Sequence, residues 1–581
     1  MSMTQQRTPE GAAESYRARG WWRDGTFLDD LRAVVRRHPD RAAVICRHAD
    51  GRAPETVTYG ELGRLVDRLA AALVGLGVRR GDVVTLQLPN SWQLVAMCLA
   101  CARAGAVPGP VVPIMRRREV EFMTRLTGSP VYVARASFRG FSYADMSAEV
   151  AAAVPTLRHR VLLDGAGVAG ALDFARDLLG ADRLGAHPPA ELDERESGPD
   201  DPAQVMFTSG TTGEPKGVVH TNNTLYAMNR AQAEVLRLGP DEVTAMGSPT
   251  THQAGYTWNF LMPLLLGGTS VHVDAWDPDL MLRVIEEERV TFFMGAPTFL
   301  ADLIEAQRRR PRDLSALHTF ATGSAPIPPV VVEQARDVLG CRVYALWGMT
   351  ENGCVTITRP EQPPLRAAES DGTAVPGMDV RIVPDPSVAA GGAPGAPGAP
   401  GDVGRLQVRG ASQCTGYFNR PEAYAAALTG DGWFDTGDLA RDDGHGGIRI
   451  AGRVKDLISR GAEKIPVVEV EAALLRHPAV RDVAVVGYPD DRLGERACAV
   501  VVPAAAGDAP ALDDLTGHLD ALGMAKHYWP ERLEIVDALP KTPSGKIQKF
   551  RLRELLTAGP GAGQGAGPVA GQGAGPETEA R

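Results

Sequence analysis

The chain switches its hydrophobic period repeatedly between that of a helix and that of a strand, and this alternation constrains its fold more than any other feature. Leu62, Leu65, Leu69, Leu73 and Leu76 recur at helical spacing until Gly77, a stripe that needs apolar neighbours along one face. Asp82-Val-Val-Thr-Leu-Gln-Leu88 then reads as a strand ended by Pro89, and Ser91 stands as the N-cap of a second apolar helix reaching about Ala104. Strand, helix and strand at this pace predict βαβ units and a largely parallel sheet. The same alternation runs through residues 200–350.

Length and composition bound the rest. A chain of 581 residues with 44% hydrophobic and 23% charged residues can bury several domain-sized cores, which excludes disorder throughout. A formal charge of −10 lacks the basic footprint of a nucleic-acid binder. The longest apolar stretch, Leu94–Ala102, is broken by Arg103, so no membrane span is expected. The N-terminus carries no apolar signal core, and seven cysteines are an odd and sparse set; both predict a reduced, cytoplasmic setting. The 64 glycines and 44 prolines concentrate in part at 389–401 and 558–576, the latter repeating Gly-Gln-Gly-Ala-Gly-Pro. Neither stretch has side chains whose burial offsets the entropy of ordering, so both are expected to be mobile.

The densest chemistry is Thr208-Ser-Gly-Thr-Thr-Gly-Glu-Pro-Lys216-Gly217, after the strand-like Gln204-Val-Met-Phe207. Thr208, Ser209, Thr211 and Thr212 supply hydroxyls, Gly210 and Gly213 free closely spaced backbone N–H groups, and Lys216 adds a positive charge; together they suit a phosphate chain. It is not a Walker A loop, because Pro215 stands five residues beyond Gly210 and Gly217 follows the lysine.

With four further segments, this run resembles the acyl-adenylate-forming enzymes, the AMP-binding superfamily. The segments are Gly323-Ser-Ala-Pro326, Trp347-Gly-Met-Thr-Glu351, Gly432-Trp-Phe-Asp-Thr-Gly-Asp438 with Gly452-Arg-Val-Lys-Asp456, and Pro540-Lys-Thr-Pro-Ser-Gly-Lys546. The resemblance covers roughly residues 25–556. Within the superfamily, Arg460-Gly-Ala-Glu-Lys-Ile-Pro-Val-Val-Glu469 and Tyr16-Arg-Ala-Arg-Gly-Trp-Trp22 look most like cyclohexanecarboxylate-CoA and related medium-chain acyl-CoA ligases.

The resemblance implies an α/β fold, with a large N-terminal adenylate-forming domain of βα-layered subdomains and a small mobile α+β C-terminal domain. The expected division is a loose segment at 1–25, the AMP-binding domain at 26–453, the lid at 454–556 with its hinge near 453–456, and a disordered tail at 557–581. The implied activity is ATP-dependent conversion of a medium-chain or alicyclic acid to acyl-AMP, then transfer to coenzyme A. Transfer to the phosphopantetheine of an acyl carrier protein is the alternative. An oxygen-dependent, luciferase-like use of the adenylate and a non-catalytic nucleotide-binding protein are more distant ones.

The implied roles follow the motifs. Glu351 would hold Mg²⁺, a hard cation that takes oxygen ligands and bridges phosphates, and Thr350 would donate to the α-phosphate. Trp347 would offer its face to adenine while the Gly323, Ser324 and Ala325 backbone reads the base edge. Asp438 would accept the ribose hydroxyls and Arg453 would reach the ribose from the other side. The Lys546 ammonium would stabilise the charge that develops between the carboxylate and the α-phosphate. Rotation about Lys455 would replace it with the Arg460–Glu463 loop, where Gly461 leaves room for pantetheine; this chain has Ala462 where many members carry a second glycine.

His252 in Thr251-His-Gln-Ala-Gly255 matches the family position at the floor of the acyl pocket, with Gly255 beside it. Gln253 falls where amino-acid-activating members carry an aspartate, which argues against an amino-acid substrate. Trp258, Phe260 and Met262 fit a pocket-lining helix and simple core packing equally well. Gly165-Ala-Gly-Val-Ala-Gly170 matches a dinucleotide fingerprint, but Leu184-Gly-Ala-His-Pro-Pro189 beyond it cannot supply the next strand with its acidic end. Cys98-Leu-Ala-Cys101 has redox spacing within an apolar helical run and no second ligand pair, so it reads as core thiols.

Overall fold

The computed structural model describes residues 10–208, 215–325, 327–384, 402–460, 463–465, 467–490, 492–505, 507–542 and 545–557. They form two compact units: residues up to Lys455 together with Lys541–Lys546, and Asp456–Pro540 with the residues from Ile547. The glycine-rich stretches 389–401 and 558–576 lie outside the described residues.

The predicted leucine stripe is the helix Tyr59–Gly75. Its start is a reciprocal cap: the Glu61 N–H donates to Thr58 Oγ1 at 3.2 Å, and the Thr58 N–H donates to Glu61 Oε2 at 2.9 Å. The strand Val83–Gln87 comes next, and Ser91 Oγ accepts the Leu94 N–H at the start of the helix Trp92–Arg103. Both helices are packed between two sheets. One sheet has five parallel strands in the order Val107–Pro110, Val83–Gln87, Val131–Arg135, His159–Leu163 and Leu172–Asp173. The other has nine strands, and its central six are parallel: Arg342–Met349, Thr319–Thr322, Phe292–Gly295, Val243–Met246, Thr269–Val273 and Ala42–Arg47.

The period of two along each strand divides its side chains between layers. Val131 and Val133 join the core around the two helices, while Tyr132 and Ala134 face the helices Arg117–Thr127 and Tyr143–Ala153. Val44 and Cys46 likewise face inward, and Ala245, Phe293 and Phe320 pack under Pro278–Glu287 and Pro297–Arg309. The result is helix, sheet, helix, sheet, helix. Burying Leu62, Leu69 and Leu73 contributes about 2 kcal/mol each. Two larger antiparallel sheets and the short hairpin Ser137–Phe138 and Phe141–Ser142 complete this unit among the described residues; of the larger two, one is built on the hairpin Pro202–Thr208 and Lys216–Thr221, the other on Met378–Pro384, Gly404–Gly410, Phe434–Asp442 and Ile448–Arg453.

The smaller unit is α+β. Val480–Asp490 pairs antiparallel with Gly494–Pro503. Val483 and Val485 face the helices Val467–Leu474 and Leu512–Ala521, and Ala484 and Val486 face Lys549–Thr557. Inside it, buried Glu471 accepts from Lys549 Nζ and from the Val485 N–H, each at 2.7 Å.

The expectation of a loose segment at 1–25 fails for the part described. Glu10–Ala18 is a helix, Trp22 is buried and donates its Nε1–H to Ala411 O at 2.8 Å, and Arg17 pairs with Asp200. Tyr16 packs on both Trp21 and Trp22. Long-range aromatic burial orders a segment whose local composition is polar. The glycines at 165–170 form a turn that Arg160 fills by donating to Ala169 O, and the next element is a short strand rather than a helix N-terminus. Cys98 and Cys101 are buried within their helix, and burial pushes the Cys98 thiol up to about 12 and the Cys101 thiol up as well. Among the described residues no helix is long and apolar enough to cross a membrane.

Candidate active site

In an open parallel sheet, ligands bind beyond the carboxyl ends of the strands, and Gly323–Ala325, Trp347, Thr350, Glu351 and His252 lie at that edge of the nine-stranded sheet. Trp347 lies near the end of Arg342–Met349, and Thr350 and Glu351 come directly after it. Gly323, Ser324 and Ala325 continue from the neighbouring strand Thr319–Thr322. His252 lies beyond Val243–Met246 and caps the short helix Gln253–Tyr256. Gly323 has no room for a side chain, since a Cβ there would collide with Leu346 O. Ser324 has φ +70°, a left-handed conformation that a non-glycine residue holds at a cost and that recurs at ligand clamps.

Asp438 and Arg453 face each other across the antiparallel pair Phe434–Asp442 and Ile448–Arg453. Asp438 Oδ1 lies 3.0 Å from Arg453 Nε, and Oδ2 accepts the Trp347 Nε1–H at 2.9 Å. The aromatic plane and the carboxylate are thereby fixed to one another. A carboxylate has about four lone-pair sites, so Asp438 keeps acceptor capacity beyond these two partners.

Glu351 is buried, and desolvation pushes its carboxyl above the usual range; the Tyr417 hydrogen bond and the charges of Lys216 and Arg453 work against that shift. Tyr417 donates its O–H to Glu351 Oε1 at 2.8 Å, and the Lys216 ammonium lies 4.7 Å from the Tyr417 ring centroid. Lys216 pairs in register with Thr208 at the loop end of their hairpin. Ser209, Gly210, Thr211, Thr212 and Gly213, which join them, lie outside the described residues, as does Gly461. Lys455 falls in the 3₁₀ turn Val454–Asp456, where the larger unit ends.

Within the larger unit, Gly545 has φ +83°, and a Cβ on it would stand 2.6 Å from Thr298 Oγ1. The loop carrying Lys546 therefore lies against the start of the helix Pro297–Arg309, at the same sheet edge. Lys546 comes close enough to His252 to act on its titration: burial first, then the Lys546 charge, pushes His252 down to about 4. At neutral pH the pair is an uncharged imidazole beside an ammonium. Gly255 packs where a Cβ would collide with Pro249 O. Trp258 stacks on Phe292 at 5.4 Å, and Trp258, Phe260 and Met262 are all core residues.

Two residues at this edge are not singled out by sequence reasoning. His220 is fully buried, donates Nε2–H to Thr350 O at 2.8 Å, and is held neutral by burial, with its pKa lowered to about 4. Strand alternation from Lys216 places Val218 and His220 on the lysine's face, a signal present in the sequence. Tyr417 has no such signal; it meets Glu351 because Gly416–Tyr417 pairs with Lys216–Thr221.

The sequence model of the AMP-binding enzyme family matches residues 31–418, and that of the AMP-binding enzyme C-terminal domain matches residues 469–546. A medium-chain fatty-acid–CoA ligase of Escherichia coli (strain K12) is 34% identical, over 93% of this chain and 92% of its own length. A salicyl-AMP ligase / salicyl-S-ArCP synthetase of Mycobacterium tuberculosis is also 34% identical, over the same 93% and 92%. Among solved structures, ATP-bound MatB from Rhodopseudomonas palustris is similar with a TM-score of 0.78 at 28% identity, covering 91% of this chain and 99% of that one. The chain belongs to the AMP-binding enzyme family and is an AMP-forming acid ligase.

Proposed function

We propose that the chain activates a medium-chain or alicyclic carboxylic acid with ATP and passes the acyl group to the thiol of CoA. The observation that carries this reading is the convergence, at one sheet edge, of the Trp347–Asp438–Arg453 set, the Glu351–Tyr417–Lys216 set and Lys546 beside a neutral His252. The acid's carboxylate oxygen attacks the α-phosphorus, the bond to the bridging oxygen breaks, and pyrophosphate leaves. The CoA sulfur then attacks the acyl carbon, and AMP leaves.

The chain's own residues divide the work. Trp347 and the Gly323–Ala325 backbone seat the base, Asp438 and Arg453 the ribose, and Thr208–Gly213 with Lys216 the phosphates. Thr350 is held through its carbonyl by His220, which steadies the segment whose hydroxyl meets the α-phosphate. Lys546 stands between two anions that must approach each other, and a cation placed there beforehand lowers that barrier. A single buried oxygen ligand such as Glu351, with a desolvated carboxyl that has Tyr417 on one oxygen, fits Mg²⁺ bound mainly by water and nucleotide phosphates. Bound there, Mg²⁺ would neutralise phosphate charge. The hinge is assigned to Lys455, and CoA entry to the loop containing Gly461. His252 and Gly255 border the acyl group.

The salicyl-S-ArCP synthetase, whose identity to this chain equals that of the CoA ligase, supports a second reading in which a carrier-protein phosphopantetheine is the acceptor. Pyrophosphate release measured across linear, alicyclic and aryl acids, with free CoA or a phosphopantetheinylated carrier, separates them. Thioester on CoA is expected; thioester on the carrier alone would replace CoA as acceptor, and activity confined to amino acids would overturn the acid class.

A further inference from the structure

The turn at 350–352 joins the antiparallel strands Arg342–Met349 and Gly353–Ile357, and the Asn352 N–H closes it on Met349 O at 3.2 Å. Buried carbonyls outside the strand ladder need donors from elsewhere, and all three of this turn find one. Thr350 O accepts from His220 Nε2 at 2.8 Å, Glu351 O from the Cys414 N–H at 2.7 Å, and Asn352 O from the Ser412 hydroxyl at 2.8 Å. Ser412 is 2% exposed, and its Oγ also lies 2.9 Å from Met378 Sδ; a carbonyl oxygen is the stronger acceptor of the two. The backbone that carries the Thr350 hydroxyl and the Glu351 carboxylate is thereby fixed at three successive peptides.

Two of these donors belong to residues 411–417, the segment that also sets the Tyr417 O–H on Glu351 Oε1. Further bonds fix its course: the Thr415 N–H donates to Val219 O at 2.9 Å, and the Tyr424 O–H to Cys414 O at 2.7 Å. At its start, the Ala411 N–H donates to Gly377 O at 2.8 Å, and Ala411 O accepts the Trp22 Nε1–H at 2.8 Å. Trp22 packs on Ala227 and Ala411 and is itself at the end of an anchored stretch. Arg17 pairs with Asp200, the Asn223 amide donates to Asp200 Oδ1 at 2.8 Å, and the Arg23 N–H donates to Asn223 Oδ1 at 2.8 Å. Asn223 lies at the start of the helix Asn222–Leu236, directly after the strand Lys216–Thr221 that carries His220. Residues 10–23 thus tie the segment that supplies Ser412 and Cys414 to the elements that supply His220.

We propose that Ser412 and Trp22 are positioning residues for acid activation, Ser412 directly on the turn and Trp22 through Ala411. Together they hold the backbone from which Thr350 and Glu351 reach the nucleotide phosphates. The inference rests on the roles given to those two residues above and extends the site to the N-terminal stretch. Placement matters here because a shift of about 1 Å at a reacting group costs about a hundredfold in rate. The demand is greatest while the triphosphate is being split, and smaller in the thioester step, when pyrophosphate has already left.

The test measures the two half-reactions separately in the full chain: acid-dependent pyrophosphate release, and thioester formation from supplied acyl-AMP on the acceptor that the unsubstituted chain uses. Ser412→Ala removes one oxygen atom, and kcat for pyrophosphate release should fall about tenfold, the equivalent of one hydrogen bond. Trp22→Phe keeps a ring and removes the donor; a fall of about threefold to fivefold in the same half-reaction is expected. In both variants the KM for the acid and the rate of thioester formation should stay within about twofold, a split that loss of fold does not produce. Equal losses in the two half-reactions would make both residues general supports of the fold and overturn the inference. Unchanged pyrophosphate release in both variants would overturn it too. Should Ser412→Ala fail to fold, Trp22→Phe decides alone by the same criteria. No release by the unsubstituted chain with any acid would overturn the activation reading itself, and full release by Glu351→Gln would overturn only the role of Glu351; both are recognisable apart from the positioning result.

Discussion

The two ends of the proposed site are built in opposite ways. At the nucleotide end, each functional carboxylate has a protein partner: Asp438 stands between Trp347 and Arg453, and Glu351 accepts from Tyr417. At the acyl end, His252 is an imidazole held uncharged at neutral pH, and Gly255 packs where a Cβ would collide with Pro249 O. ATP is the same in every turnover, so its site can be fully oriented before binding, which is where preorganisation has the greatest effect on rate. The acyl group sets specificity, and an uncharged, close-packed border selects by fit rather than by charge.

The comparison can be broken at its strongest point first. Lys546→Ala should lower acyl-AMP formation about a thousandfold, the order seen when one preorganised electrostatic group is removed, while thioester formation from supplied acyl-AMP stays within a few-fold. Equal loss in both half-reactions would remove the lysine from its assigned place. Glu351→Gln keeps shape and removes charge; pyrophosphate release should fall about a hundredfold and recover in part as Mg²⁺ is raised. No response to Mg²⁺ would contradict the assignment. Asp438→Asn weakens one charge-assisted pair and the ribose acceptor together, so the KM for ATP should rise about tenfold to a hundredfold, with a smaller change in kcat. A pure kcat effect would place Asp438 elsewhere in the reaction.

The smallest effect is on stability. His220 and His272 are buried and His252 is half-buried beside Lys546, and desolvation, helped at His252 by the Lys546 charge, lowers each to about 4, below the ordinary value near 6.5. The unfolded chain therefore takes up protons first as pH falls. The stability these neutral rings contribute is complete above about pH 6.5 and is lost progressively as pH drops toward 4. Thermal melts should show Tm falling by several degrees between pH 6.5 and 5; a Tm that is flat or rises over that window would mean the rings are solvated.

Legibility in the sequence tracks how locally each feature is encoded. The helix Tyr59–Gly75 is legible because its cap, stripe and stop all lie within about twenty residues of chain. Trp347, Asp438, Arg453 and Lys546 are legible because each sits in a short run with its own spacing. Tyr417 is not, because its role depends on pairing with a strand far earlier in the chain, where Val218 stands opposite Tyr417. The segment Glu10–Trp22 escapes sequence reasoning for the same reason: its polar composition is local, but its order comes from Ala227, Ala411 and Asp200.

The most direct test of the central claim is ATP–pyrophosphate exchange catalysed by the full chain in the absence of any thiol. Exchange that depends on an added carboxylic acid and disappears in its absence is the predicted result. Exchange that proceeds equally without acid, or that requires CoA before it starts, would contradict activation through acyl-AMP.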